Sequence, residues 1–128
     1  MRRFFLLAAV LAGPLAAQEI EILPGHSDFR LPETRVVQYP MQLIDDWLRP
    51  FPESGEGAPT LELVAGIESD RLVLVLTLAG GGDDAVRAVQ RRLEFIQTEN
   101  LSWALMAYGF RQTCWRSGSD DWTDQLCP

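Results

Sequence analysis

Residues 61–79 constrain the fold of this chain more than any other stretch, because two apolar strand patterns flank the pair Ser69-Asp70. A two-residue loop at that pair places Glu68 opposite Arg71. The four apolar pairs farther out all fall on one face: Ile67–Leu72, Ala65–Leu74, Leu63–Leu76 and Leu61–Leu78. The second strand also carries valines on its other face, which is typical of a strand inside a sheet. The sequence therefore predicts a β-hairpin whose second strand is interior.

The first 17 residues have the pattern of an export signal. Arg2 and Arg3 precede an apolar run from Phe4 to Leu11, and the small residues Ala16 and Ala17 follow. The run is shorter than the roughly 20 residues that span a bilayer, which favours a cleaved signal over a retained anchor. We predict cleavage after Ala17, which leaves residues 18–128 as a single periplasmic or secreted domain with no membrane attachment.

The charge balance bears on possible partners. The chain has 11 basic and 18 acidic residues, and export would remove Arg2 and Arg3, leaving a formal charge of −9. Nucleic acids and anionic lipid surfaces attract proteins with positive patches. An acidic mature chain therefore argues against both as partners.

The two cysteines, Cys114 and Cys127, favour a structural disulfide, since an even count in an exported chain usually pairs. Redox work usually places two cysteines in a Cys-x-x-Cys motif, whereas twelve residues separate these two. Zinc needs further ligands, and the only histidine in the chain is His26. We expect no metal and no cofactor.

The remaining elements predict an α+β fold. Short strands are expected at residues 19–23 and 35–39, and a helix begins at Pro40 and ends before Pro50. Val86, Val89, Leu93 and Ile96 recur at helical spacing, and a further helical stretch over 101–108 would end at Gly109; one kinked helix or two are both compatible with the pattern. The resulting order predicts a small antiparallel sheet with helices on one face, a possible split βαβ (ferredoxin-like) arrangement with a disulfide-pinned C-terminal tail, or a plainer sheet with helices on one side.

Three polar clusters invite a catalytic or ligand-binding interpretation, but each has a simpler one. Gly80-Gly81-Gly82 followed by Asp83-Asp84 favours a turn and a helix cap over a phosphate site, because acidic residues repel phosphate. His26-Ser27-Asp28 favours a polar turn over a nucleophile with its base. The acidic residues of the tail favour a solvated loop over a calcium site, since the alternating oxygen ligands and turn glycine are absent.

Two functions stay open at this point. The first is a non-catalytic binding or accessory module whose partner is another envelope protein, bound through the tail residues Trp115, Trp122, Asp120, Asp121 and Asp124. Core and disulfide packing is the alternative role for these tryptophans, and the loop 51–59 is a second candidate patch. The other function is a carboxylate-dependent hydrolase acting on an envelope glycan or peptide, using Asp120, Asp121 or Glu53. No catalytic constellation is visible, and the sequence does not set the oligomeric state.

Overall fold

The structure is a computed structural model that describes residues 20–28, 34–48, 59–80 and 84–128, with residues 46–48 described by their backbone alone. The predicted signal peptide 1–17, the loop 51–58 with Glu53, the triplet Gly81-Gly82-Asp83 and the side chain of Trp47 lie outside the described part.

The described chain forms one mixed sheet of six strands and a single short helix. In chain order the elements are β1 (Glu21–Ile22), β2 (Val36–Val37), α1 (Met41–Leu48), β3 (Thr60–Glu68), β4 (Arg71–Ala79), β5 (Val86–Gln97) and β6 (Trp103–Cys114). Strands β3 to β6 are an antiparallel meander of neighbours. β1 pairs with β6 in parallel, and β2 pairs with β6 in antiparallel orientation.

The hairpin prediction is confirmed residue by residue. Glu68 lies opposite Arg71, and the four apolar pairs from Ile67–Leu72 to Leu61–Leu78 have the predicted register. Ser69 has a φ of 58°, because a tight two-residue hairpin loop requires a left-handed residue. β4 lies between β3 and β5, as its apolar faces predict. The helix at Met41–Leu48 and the short strand at Val36–Val37 are confirmed as well.

The predicted helices over 86–96 and 101–108 are wrong, and the fold is mostly β rather than α+β. These residues form two twelve-residue strands, and the split βαβ arrangement is absent from the described chain. Leu93 and Phe95 explain the error, since both are fully buried. Residues two apart lie about 200° apart on a helix but on the same face of a strand. Pairing slips past Arg87 on β5, which brings Val86 to the same face as Val89 and Leu93. Ile96 lies on the opposite face, next to the buried Phe95.

The core lies on one face of the sheet, here called the inner face. Its buried strand residues are Leu74, Leu76, Leu93, Phe95, Leu105 and Tyr108. Leu43 and Ile44 of α1 pack against this face, together with Val37 and Ile20. The opposite face, here called the outer face, carries Gln90, Arg92 and Glu94 of β5. The helix, β2 and the segment before β1 therefore cover one face of the sheet.

Candidate binding surfaces

The two outer strands of the meander, β3 and β6, differ in whether other segments of the chain pair with their outer edges. Four segments pair with the outer edge of β6, here called the covered edge. Arg35 accepts a hydrogen bond from Leu105 N–H (2.8 Å), Leu23 donates to Tyr108 C=O (3.2 Å), and Ser27 and Thr123 exchange backbone bonds with Phe110 and Gln112, respectively. The covered edge consequently has its backbone groups satisfied along most of its length.

The outer edge of β3, here called the open edge, has no strand partner among the described residues. Eight of the nine β3 residues are exposed to solvent. Three large apolar side chains are among these exposed residues: Leu61 is 43% exposed, Val64 52% and Ile67 69%. A long exposed edge strand with apolar side chains is a template for pairing with another strand.

The register identifies which backbone groups the open edge offers. Glu68 and Arg71 flank a two-residue loop and therefore form a hydrogen-bonded pair, and such pairs alternate along an antiparallel ladder. The covered edge shows the same alternation, because Tyr108, Phe110 and Gln112 direct their backbone groups outward. On β3 the outward residues are Leu61, Leu63, Ala65 and Ile67.

The outer face carries a connected set of charged side chains. Arg71 donates to the Glu94 carboxylate at 2.7 Å, and Arg92 contacts both Glu94 (3.0 Å) and Glu68 (2.6 Å). Burial alone would raise the pKa of the Glu94 carboxyl, but the hydrogen bonds from the two arginines outweigh it and hold this pKa below its usual range. Glu94 therefore stays ionised near neutral pH and is unsuited to be a general acid.

A second polar row lies beside this set. Arg111 donates from Nε to Gln90 at 2.8 Å, and Gln90 donates to Thr77 at 3.1 Å. The Arg111 guanidinium also lies over the ring of Trp122, 5.2 Å from its centroid. The C-terminal tail therefore contacts the outer face of the sheet through Trp122 and Arg111.

His26 lies directly against the backbone of β6 at Gly109. A Cβ atom placed on Gly109 would be 2.4 Å from the Cβ of His26, so the contact requires glycine. His26 Nδ1 lies 3.1 Å from the Pro24 carbonyl oxygen, which assigns the ring proton to Nδ1. Burial lowers the pKa of His26. The Ser27 hydroxyl donates to Phe110 C=O at 3.4 Å rather than to His26, so no nucleophile–base pair forms here.

The residues of the predicted tail surface are close together but largely engaged with the sheet. Cys114 and Cys127 are joined with their Cα atoms 5.4 Å apart, which is consistent with the predicted disulfide and with an oxidising compartment. Trp115 is half exposed, and the Arg87 guanidinium lies 4.7 Å from its ring centroid. Asp120 pairs with Arg87, Asp121 accepts from Ser119 at 2.5 Å, and Asp124 accepts from Gln125 at 2.8 Å. Each of the three carboxylates has a partner within the chain.

The remaining predictions from the sequence concern a helix end, a helix cap and a metal site. Gly109 is a strand residue and ends no helix. Asp84 caps no helix, because β5 follows it, and lies 3.5 Å from Arg116. Within the described ranges, no three His, Cys, Asp or Glu side chains are grouped to hold a metal ion. The open edge was missed, although the charged residues on the reverse face of β3 distinguish it from the interior strand β4.

Comparison with protein families, curated proteins and solved structures finds no match to this chain. None of the helices in the described residues is long and apolar enough to cross a membrane.

Proposed function

We propose that this protein is an exported, non-catalytic binding module that takes an extended polypeptide segment along the open edge of β3. The observation that supports this most is the contrast within one sheet. Four segments pair with one edge, whereas the nine-residue strand β3 at the other edge is exposed and has no strand partner among the described residues.

The physical basis is strand addition. Leu61, Leu63, Ala65 and Ile67 offer backbone donors and acceptors to an incoming strand, and main-chain hydrogen bonds supply affinity in this mode. Alternate side chains of the incoming strand would lie beside Leu61, Leu63 and Ile67 on the inner face, where burial adds a hydrophobic contribution. The incoming strand would therefore carry apolar residues at every second position.

The tail is a weaker candidate for the contact surface. Its three carboxylates are bonded within the chain, and Trp122 is half-buried beneath Arg111. Trp115 is the best exposed of these tryptophans. The tail therefore stays a second prediction, tested by Trp122→Ala combined with Asp121→Ala.

Export is part of the proposal. Residues 1–17 act as a cleaved signal, and the protein resides in the periplasm or is secreted. Intact mass of the exported protein should give an N-terminus at Gln18 and a mass lower than that of the reduced chain by two hydrogen atoms. A retained N-terminus would contradict export by a cleavable signal, and free thiols in protein from an oxidising compartment would contradict the disulfide.

Proline at an outward position tests the edge. Ala65→Pro removes an N–H that faces away from β4, so the β3–β4 ladder keeps its bonds while the edge loses a donor. Ala65→Thr is the matched control, because it keeps the N–H and favours strands. Tagged exported protein and both variants are incubated with envelope extract, and amide exchange is measured on the recovered complexes.

We expect the parent and Ala65→Thr to recover the same partner with slower exchange at the outward amides of β3, and Ala65→Pro to lose it. Equal recovery by Ala65→Pro, or protection confined to the tail, would contradict strand addition at β3. Turnover of a glycan or peptide panel by the same sample would instead favour the hydrolase.

A further inference from the structure

We infer that the strand taken up at the open edge is β3 of a second copy of this chain, paired antiparallel about a two-fold axis at Val64. This inference rests on the proposed function, since it names the partner for the same edge. Its basis is that the β3 sequence is complementary to itself in one register.

The backbone limits the registers. Outward groups belong to residues with odd numbers, and hydrogen-bonded pairs across a new antiparallel ladder must join outward residues to outward residues. A two-fold axis at Val64 pairs Leu61 with the second copy's Ile67 and Leu63 with the second copy's Ala65. All four outward residues of each copy are then bonded.

The side chains favour this register. On the inner face, every cross-strand pair is apolar, and Leu61 and Ile67, which are 43% and 69% exposed in the single chain, cover each other. On the outer face, Val64 meets the second copy's Val64, and Glu62 lies opposite Gly66. Glu68 lies opposite Thr60 and is already paired with Arg92.

The neighbouring register is unfavourable. A two-fold axis at Ala65 also satisfies the backbone, but it places Glu62 directly opposite the second copy's Glu68, and it does so twice. Like charges directly opposite each other destabilise a ladder. A two-fold axis at Leu63 keeps the charges apart but moves Ile67 beyond the start of the second copy's β3 at Thr60. The Val64 register combines full strand overlap with no opposed carboxylates.

The pairing is closed. The covered edge of β6 is occupied by β1, β2, Ser27 and Thr123, so each copy contributes the same single edge to the contact. A two-fold contact that uses the same surface on both copies stops at two chains. The interface is one strand pair and therefore small, so the dissociation constant should be on the order of micromolar.

A charge swap tests the partner and the register together. Leu61→Lys and Ile67→Glu each place a charge opposite an apolar residue of the second copy. The two positions are six residues apart on one strand, about 20 Å, so they do not interact within a chain. The double variant creates two opposite-charge pairs in the dimer. By sedimentation at physiological salt we expect each single variant to dimerise about tenfold more weakly, and the double variant to return to within about threefold of the parent.

Cysteine cross-linking provides a readout that does not depend on affinity. Val64→Cys places the two introduced thiols at a non-hydrogen-bonded pair, where Cα atoms are about 4.5 Å apart and a disulfide can form. In the control Glu62→Cys, the introduced thiols are offset by four residues, roughly 13 Å. We expect mild oxidation to cross-link Val64→Cys alone.

The results separate this inference from the proposed function. A parent that stays monomeric at several hundred micromolar, or a double variant no better than the singles, overturns the self-pairing at this register. Cross-linking of Ala65→Cys in place of Val64→Cys overturns the two-fold axis at Val64. A dimer unaffected by Ala65→Pro also overturns the self-pairing. In each case the loss of a foreign partner by Ala65→Pro would still support strand addition, whereas equal recovery of a partner by the parent and Ala65→Pro overturns strand addition at β3 itself.

Discussion

β3 and β6 are the two outer strands of the same meander, yet they differ in burial and in how their outer edges are paired. β6 is buried along most of its length and paired on its outer side by segments from both ends of the described chain, whereas β3 is paired on one side and exposed almost throughout. Proteins usually protect edge strands with bulges, charges or covering segments. Here β6 has a bulge at Met106 and four covering segments, while β3 has two glutamates. The uneven protection is the reason for expecting a partner at β3.

The same truncation on both strands should show the largest difference. Leu105→Ala on β6 empties a position that is 4% exposed in the core, and we expect a loss of about 2–5 kcal/mol in the free energy of unfolding. Leu61→Ala on β3 removes a side chain that is 43% exposed, and should cost about 1 kcal/mol or less in the monomer. Urea titration at low protein concentration measures both. Equal losses would mean that β3 is as well covered as β6.

Removing the disulfide should expose the end of the covered edge. The bond closes a loop between residues separated by 13 positions, and the chain-entropy model gives about 3 kcal/mol for a loop of this size. In the variant with both Cys114→Ala and Cys127→Ala we expect a comparable loss of stability. Exchange of the Gln112 amide, which donates to Thr123, should also become faster. Unchanged protection of Gln112 would show that the tail holds this edge without the bond.

Adding one methyl group at a glycine of each strand sharpens the comparison. Gly109→Ala places a Cβ 2.4 Å from the Cβ of His26, so the segment around His26 must move, at a cost of about 1–3 kcal/mol. Gly66→Ala on β3 meets nothing within 4 Å and should be neutral or slightly stabilising, since glycine weakens a strand. Thermal melts of the two variants compare them. A neutral Gly109→Ala would mean that His26 does not hold the covered edge in solution.

The smallest expected effect is a pH dependence confined to the covered edge. Burial lowers the pKa of His26 below its ordinary value of 6.5, so the folded state binds this proton less readily than the unfolded state. The resulting stability is fully present above pH 6.5 and is lost as the pH falls through the folded pKa. Urea midpoints of the parent should therefore fall between pH 7.5 and 5.5, and those of His26→Gln should fall less. Identical pH slopes for the two proteins would contradict a lowered pKa of His26 in the folded state.

Local patterns predict the parts of this fold whose pairing is local. The β3–β4 register follows from a two-residue loop and four apolar pairs, and α1 follows from Pro40 and the spacing of its apolar residues. The helical interpretation of β5 rests on the spacing of Val86, Val89, Leu93 and Ile96. Val86 shares a face with Leu93 only because pairing slips past Arg87, and Ile96 lies on the opposite face of the sheet. The adjacency of Leu93-x-Phe95 was the evidence for a strand.

The candidate surfaces depend on pairing that no local pattern contains. The contact between Glu68 and Arg92 needs the register of three strands, and the covering of β6 by Val36 and Glu21 joins residues far apart in sequence. The sequence does contain a signal that β3 is an edge strand. One face of β3 carries charged residues, whereas β4 is apolar on both faces, so β4 is predicted to be interior and β3 to be at the edge. What could not be read from the sequence is that both short N-terminal strands pair with β6, so that the outer edge of β3 has no strand partner among the described residues.

The route by which β6 is covered also sets an order for folding. Glu21 pairs with Ala107, so the earliest described strand cannot join the sheet until the last one exists. The hairpins β3–β4, β4–β5 and β5–β6 close short loops, whereas docking of β1 and β2 closes long ones, which costs more chain entropy and slows folding. We expect the meander to assemble first and the N-terminal strands to dock last. During that interval both outer strands of the meander are unpaired, so the nascent sheet passes through a state that is more prone to association than the finished one.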